Sequence, residues 1–439
     1  MARATMYFPD DFLWGTATAA YQVEGDSVNS DWSQWEQEEG RILNGDRSGK
    51  ASGWWQNAEQ DLNAAAAMGT TAHRMGLAWE RIEPKPGKFD GAAIGRYRRI
   101  LTYMRQRNIE PMVTLHHFVN PLWLVEMGDF NSEDVVERFR LYTEKVVAEL
   151  GDLIPKWITI NEPLVYINGR YLDGIFPAPQ KGGWRAGMAA FRNLLRCHAV
   201  AYHIIKKAYP GAEVGVAKQY RPMRPNNRIP GAKWWTKKLS WLFNDAWMDA
   251  MTDGRLRWPI GSGEIPDLAG TYDFVGINYY TYSLVHFPPL PGRLVNEDYP
   301  KDALIGDGNY GELFPEGIYD AVKWAVRFDK PIYITENGVP DDDDDIRPIL
   351  ILTHLRELWR ALSFNYPVMG YYHWSLIDNF EWERGWTQRF GLIELDPETQ
   401  KRSMRTSAAL YAEICKTRSI SSDMARKYAP SLLKTMFPG

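Results

Sequence analysis

Residues 156–163, Lys156-Trp157-Ile158-Thr159-Ile160-Asn161-Glu162-Pro163, form a short apolar run that ends on an amide, a carboxylate and a proline. Trp157, Ile158 and Ile160 suit a strand buried on both faces, and Pro163 marks its end. Residues 331–338, Pro331-Ile332-Tyr333-Ile334-Thr335-Glu336-Asn337-Gly338, repeat the form: an apolar strand, then a glutamate, an amide and a chain breaker.

Working outward, the same rhythm fills the chain. Candidate strands are Phe12–Thr16, Thr71–Leu77, Glu110–Leu115, Lys156–Ile160, Glu213–Ala217, Asp273–Ile277, Pro331–Thr335 and Gly370–Trp374. Between and after them lie amphipathic runs read as helices: Trp54–Met68, Gly91–Arg107, Ser132–Leu150, Trp184–Ala208, Trp234–Met251, Pro315–Phe328, Ile346–Phe364 and Ser403–Cys415. Ser132, ahead of Val135 and Val136, reads as an N-cap, and Pro210-Gly211 stops the fourth helix. Alternation of this kind fits a closed barrel or an open doubly wound sheet. No GxGxxG turn follows Leu13-Trp14-Gly15, so the barrel is preferred. The fold class expected is α/β, a (β/α)8 TIM barrel forming a single domain over residues 1–415. Residues 416–439 are expected to be a C-terminal extension, packed outside the barrel or partly mobile, with one more short helix within Ser421–Phe437.

Composition narrows the function. The 439 residues are 45% hydrophobic and 24% charged, and the net charge is −4, so nothing recruits nucleic acid or an anionic membrane globally. No stretch approaches the roughly 20 apolar residues of a membrane span, and the opening MARATMYFPDDFLWG lacks the apolar run of a signal peptide. The two cysteines, Cys197 and Cys415, lie outside any CxxC pattern and read as reduced thiols of a cytoplasmic protein. The 19 tryptophans fit core packing or stacking on sugar faces, and composition does not choose between these.

In a barrel, the C-terminal strand ends surround the reaction chamber. Strands four and seven would then hold Glu162 and Glu336 across its mouth, and two carboxyls so placed are the equipment of glycoside hydrolysis. The other strand ends add Arg74, able to hold a carboxylate ionised, then His116-His117, Asn278-Tyr279-Tyr280 and His373-Trp374. Gln22 and the segment Asp378-Asn379-Phe380-Glu381-Trp382 supply further hydrogen-bonding and stacking groups for a sugar. Metal is disfavoured: His116 and His117 lack a third ligand at a recognisable spacing, and Asp341–Asp345, without the alternation and glycine of a calcium loop, reads as solvated. His198 and His203 read as structural.

These residues resemble family 1 of the glycoside hydrolases, the β-glucosidase family, from about Phe8 to Cys415. The resemblance is carried by FLWGTATAAYQVEG at the start, TINEP around Glu162, GINYYT around Tyr280, ITENG around Glu336, and HWSLIDNFEWERGWTQRFGL near the end. It implies a retaining, double-displacement hydrolysis of terminal non-reducing β-D-glycosyl residues from a small β-glycoside or oligosaccharide, with no cofactor. It implies Glu162 as acid/base and Glu336 as nucleophile. Arg74 and Tyr280 would touch the nucleophile, and Asn278 would sit beside the pair. Gln22, His117, Asn161, Trp374, Glu381 and Trp382 would bind the sugar. Departures are Phe118-Val119-Asn120-Pro121, where the family usually has Trp-Asp-Leu-Pro, and His73-Arg74-Met75-Gly76, where it has Tyr-Arg-Phe-Ser. Segments 251–265 and 339–346 are short for the family, which leaves open a side pocket for a second, apolar ligand. The rival readings are a 6-phospho-β-glycosidase, a transglycosylase and a non-catalytic sugar-binding barrel. The sugar itself and the oligomeric state are not legible.

Overall fold

The computed structural model describes residues 4–177, 183–290, 293–296 and 299–438. Its centre is a closed barrel of eight parallel strands, β1 (Leu13–Ala17), β2 (Ala72–Gly76), β3 (Glu110–His116), β4 (Lys156–Asn161), β5 (Glu213–Gln219), β6 (Val275–Asn278), β7 (Ile332–Asn337) and β8 (Val368–Trp374), paired in that order with β8 closing on β1. Each coincides with one of the strands expected from sequence. Met112, Ile158, Phe274, Tyr333 and Tyr372 fill the barrel interior with small partners such as Ala72 and Ala217. Trp157 belongs instead to the larger apolar layer, to which the helices contribute. This in-and-out division is the period-two alternation of a strand buried on both faces.

The main outer helices are α1 (Trp54–Met68), α2 (Gly91–Gln106), α3 (Asp134–Leu150), α4 (Gly183–Ala208), α5 (Ala232–Ser240), α6 (Ala246–Asp253), α7 (Glu316–Ala325), α8 (Arg347–Ser363) and α9 (Thr406–Thr417). One expected helix, Trp234–Met251, is broken: a π-helical turn at Trp241–Asp245 separates α5 from α6. Helical periodicity survives such a turn, so the pattern hid it. Ser132 lies two residues before α3, where its hydroxyl accepts from the Asp134 N–H at 3.3 Å. A three-stranded sheet outside the barrel, Met223–Pro225 with Ser283–Leu290 and Arg293–Asn296, had no counterpart in the sequence reading.

The acidic loop also differs from expectation. Asp341 is buried, and one carboxylate oxygen accepts from the backbone N–H groups of Ile346 (3.0 Å) and Arg347 (2.7 Å) at the start of α8. It satisfies N-terminal donors of that helix, so the run is not uniformly solvated. After α9, Ser419–Ser421 pairs antiparallel with Thr5–Tyr7. A helix over Ser422–Tyr428 follows, capped by the Ser421 hydroxyl, and then a short turn of helix at Leu433–Met436. Ile420, Met424, Ala425 and Met436 join the main apolar cluster.

Candidate active site

β4, β6 and β7 present their polar ends to one cleft of about 380 Å³. At the end of β7, both carboxylate oxygens of Glu336 are taken. One accepts from the guanidinium of Arg74, and the other accepts from the Tyr280 hydroxyl at 2.6 Å. Arg74 is fully buried on β2, and its other nitrogens donate to the Asn161 amide oxygen (2.6 Å) and the Thr114 hydroxyl (3.2 Å). A buried guanidinium requires partners on every side, and β3, β4 and β7 supply them.

Glu162 follows β4. Its backbone is in the left-handed region (φ 39°), an uncommon conformation for glutamate, and Pro163 then opens a short helix. Such outliers collect at functional sites. Two other cleft-lining residues share it, Phe118 (φ 69°) and Trp382 (φ 50°). Glu162 accepts from the Asn278 amide at 2.9 Å. Burial and then the charge of Glu336 push its carboxyl up to about 8. Asn278 stands next to both acids because β6 and β7 align Asn278 with Glu336 in their ladder. Its amide nitrogen also reaches Asn161 (3.2 Å), and its oxygen accepts from the Thr335 hydroxyl (2.7 Å). Arg74, Asn161 and Asn278 thus form one hydrogen-bonded chain from Glu336 to Glu162.

The sugar-binding candidates divide into a visible and a hidden group. His117, Trp374, Glu381 and Trp382 line the cleft. The His117 Nε2 meets the Asn161 amide nitrogen at 2.9 Å, and its Nδ1 is buried without a partner. Burial, with Arg74 and His116 nearby, pushes its pKa well down, so the ring is neutral and accepts from that amide. Gln22 is fully buried behind Glu381. Its amide nitrogen lies 2.8 Å from the Glu381 carboxylate, 2.9 Å from Asn379 and 3.0 Å from the Phe380 carbonyl, while its oxygen has no partner. An unpartnered buried acceptor and a neighbouring neutral imidazole are groups that sugar hydroxyls satisfy. Burial and the adjacent Glu383 push the Glu381 carboxyl well above the ordinary range, so it favours the neutral form. The cation at that corner, Arg384, lies 3.5 Å from Glu383.

The remaining histidines named from sequence lie apart. His116 meets Asn120 at 3.0 Å, and His198 bridges Thr159 and Thr271. Asn120, at a position that departs from the family pattern, ties Asp31 to Tyr166. Phe118 packs its ring 5.3 Å from both Phe176 and Trp382. Sequence reasoning missed several cleft residues: Phe176 and Tyr310 lie in loops, Tyr220 stands one residue past the end of β5, and Phe243 lies in the π-helical turn inside a run read only as a helix. Tyr310 packs 5.7 Å from the Tyr280 ring. A paired aromatic count would have raised suspicion without locating them.

Comparison with known proteins agrees with this geometry. The model of glycosyl hydrolase family 1 matches residues 4–420. A 1,4-β-D-glucan glucohydrolase of Thermotoga neapolitana is 30% identical, over 94% of this chain and 99% of the relative. A β-galactosidase of Sulfolobus acidocaldarius is 29% identical, over 95% and 96%. Among solved structures, a β-glycosidase from Pyrococcus horikoshii superposes with a TM-score of 0.89 at 34% identity, covering 97% of this chain and 98% of that one. The β-glucosidase from Thermotoga maritima in complex with castanospermine gives 0.88 at 28% identity, covering 94% and 99%. With two glutamates at strand ends of a (β/α)8 barrel and a family match over nearly its whole length, the chain belongs to glycosyl hydrolase family 1.

Proposed function

We propose that this glycoside hydrolase removes terminal β-D-glycosyl residues with retention, using Glu336 as nucleophile and Glu162 as acid/base. The observation that carries the reading is the unequal treatment of two like side chains. Both oxygens of Glu336 receive donors, one of them cationic, which suits a carboxylate aligned for attack. Glu162 has one amide donor and is pushed up to about 8, which suits an acid that is protonated at neutral pH. In the first step Glu336 bonds to the anomeric carbon as the glycosidic bond breaks, and the proton of Glu162 passes to the departing oxygen. The charge on Glu336 is then lost in the ester, so the repulsion that holds the proton on Glu162 falls. Glu162 can now take a proton from water as that water attacks the anomeric carbon and the ester bond to Glu336 breaks, freeing its carboxylate. Asn161, tied to Arg74, is positioned as a partner of the sugar 2-hydroxyl.

Gln22, His117, Trp374, Glu381 and Trp382 hold the sugar, which is a plain rather than a phosphorylated glycoside. A 6-phosphate at that corner would find the nearby cation, Arg384, already paired to Glu383. The β-glucosidase and β-galactosidase relatives make glucose and galactose the first sugars to assay. Proton NMR of the sugar released from a nitrophenyl β-glycoside tests the stereochemistry. Retention gives the β-anomer first; the α-anomer first would overturn the reading. The two buried thiols, Cys197 and Cys415, support a cytoplasmic location, and recovery of the chain from a secreted fraction would contradict it. Among the described residues, no helix is long and apolar enough to cross a membrane.

A further inference from the structure

A net charge of −4 conceals an uneven distribution. Between Glu213 and Asp245 there are 31 residues, seven of them cationic and none acidic. Lys218 is buried and Arg221 lines the cleft. Arg224, Arg228, Lys233, Lys237 and Lys238 are exposed, on the strand Met223–Pro225, the turn after it and helix α5. Several exposed cations elsewhere come with acids: Arg98 with Asp152, Arg140 with Glu137 and Glu144, Arg255 with Glu264, Arg426 with Asp423. Among the described residues, Arg228, Lys233, Lys237 and Lys238 have no carboxylate at salt-bridge distance. Two large apolar side chains project from the same segment, Ile229 at 48% exposure and Trp234 at 62%. On α5, Ala232 and Thr236 are buried against the body of the protein while Lys233, Trp234, Lys237 and Lys238 face outward.

We infer that the segment Arg224–Lys238 docks the enzyme on an anionic lipid surface. Lys233, Lys237 and Lys238 on the outward side of α5, with Arg228 in the turn before it, attract a bilayer carrying negative headgroups. Trp234 and Ile229 supply the apolar contact that such a surface accepts at headgroup depth. A nucleic acid would be met through its phosphates and would leave Ile229 in water. The flanking residues Tyr220, Arg221 and Phe243 all line the cleft, so docking sets the rim of the active site beside the bilayer. The inference departs from the expectation drawn from net charge because charge acts locally, within about a Debye length of 8–10 Å. It does not depend on the assignment of the two glutamates.

The test is sedimentation of the full chain with vesicles, read beside its activity on a soluble nitrophenyl glycoside. Vesicles of phosphatidylglycerol and phosphatidylcholine in equal parts should carry the protein down, and vesicles of phosphatidylcholine alone should not. Salt at about 0.5 M should weaken the binding. Lys233→Gln with Lys237→Gln should weaken it about thirtyfold, and Trp234→Ala at least about fivefold. Both variants should keep their activity on the soluble substrate, which shows that they are folded. Equal sedimentation with both kinds of vesicle, or unchanged binding by the lysine variant, would overturn the inference. So would binding that ignores Trp234→Ala and transfers equally to heparin, since that describes a site for any polyanion.

Discussion

At the end of β7, Glu336 faces a buried guanidinium and a phenol; at the end of β4, Glu162 faces one neutral amide and the charge of Glu336 itself. The strands are alike in length, polarity and terminal residues, so local sequence does not make the difference. It arises from what the barrel brings from elsewhere: Arg74 from β2, Tyr280 from just after β6, and Asn278 set in register with Glu336. One carboxyl is surrounded as an anion and the other as an acid.

The sharpest way to break this contrast is to delete each side chain in turn. Glu336→Ala should lower turnover by at least about four orders of magnitude with every leaving group, because no covalent intermediate forms. A nearly active variant would remove the basis of the comparison. Glu162→Ala should be selective: a loss on the order of 10²- to 10⁴-fold with a poor leaving group, and far less in the glycosylation step with a dinitrophenolate, which departs without a proton. Equal losses across a series of leaving groups would show that Glu162 does not donate the proton.

A smaller effect is expected at Glu381. Burial and Glu383 favour its neutral form, so ionisation depends on donors such as the Gln22 amide and the sugar hydroxyls. Glu381→Gln sets an amide nitrogen where Gln22 and the sugar both offer donors. Charge-assisted hydrogen bonds contribute roughly 1.5–3 kcal/mol each, so kcat/KM for a plain β-glycoside should fall at least about tenfold. If the unmodified enzyme preferred the matched 6-phospho glycoside, both the role of Glu381 and the substrate class would be wrong.

The smallest effect is on pH. Glu162 must be protonated for the first step, and its proton is lost as pH rises through about 8, so kcat/KM should decline on the alkaline side from there. The limb belongs to a coupled pair, and removing one partner should move it. In Glu336→Gln the repulsive charge is gone, and carbon-13 NMR of labelled glutamate should find Glu162 titrating lower. An unchanged titration would mean that burial alone raises it.

The barrel was legible because each strand is a compact apolar run ending in polar residues, and each helix is periodic. The two glutamates proposed as the catalytic pair were legible for the same reason: they lie where those runs stop. Phe176, Tyr310 and Phe243 were not, since they come from loops and a π-helical turn whose positions are set by tertiary packing. Asp341 was misread as solvated because a run of five aspartates hides the one that caps α8. Glu381 was placed correctly in the cleft, but its protonation depends on Glu383 and on burial, which a sequence does not express.

The most direct test of the central claim is azide rescue of the two alanine variants with an activated β-glycoside, with the product identified by NMR. In Glu162→Ala, Glu336 still forms the glycosyl ester, and azide attacks it from the opposite face. The account therefore predicts restored turnover and a β-glycosyl azide. In Glu336→Ala, azide stands in for the missing nucleophile and any product should be the α-glycosyl azide. A β-glycosyl azide from Glu336→Ala, with Glu162→Ala unaffected by azide, would contradict the account by exchanging the roles of the two glutamates.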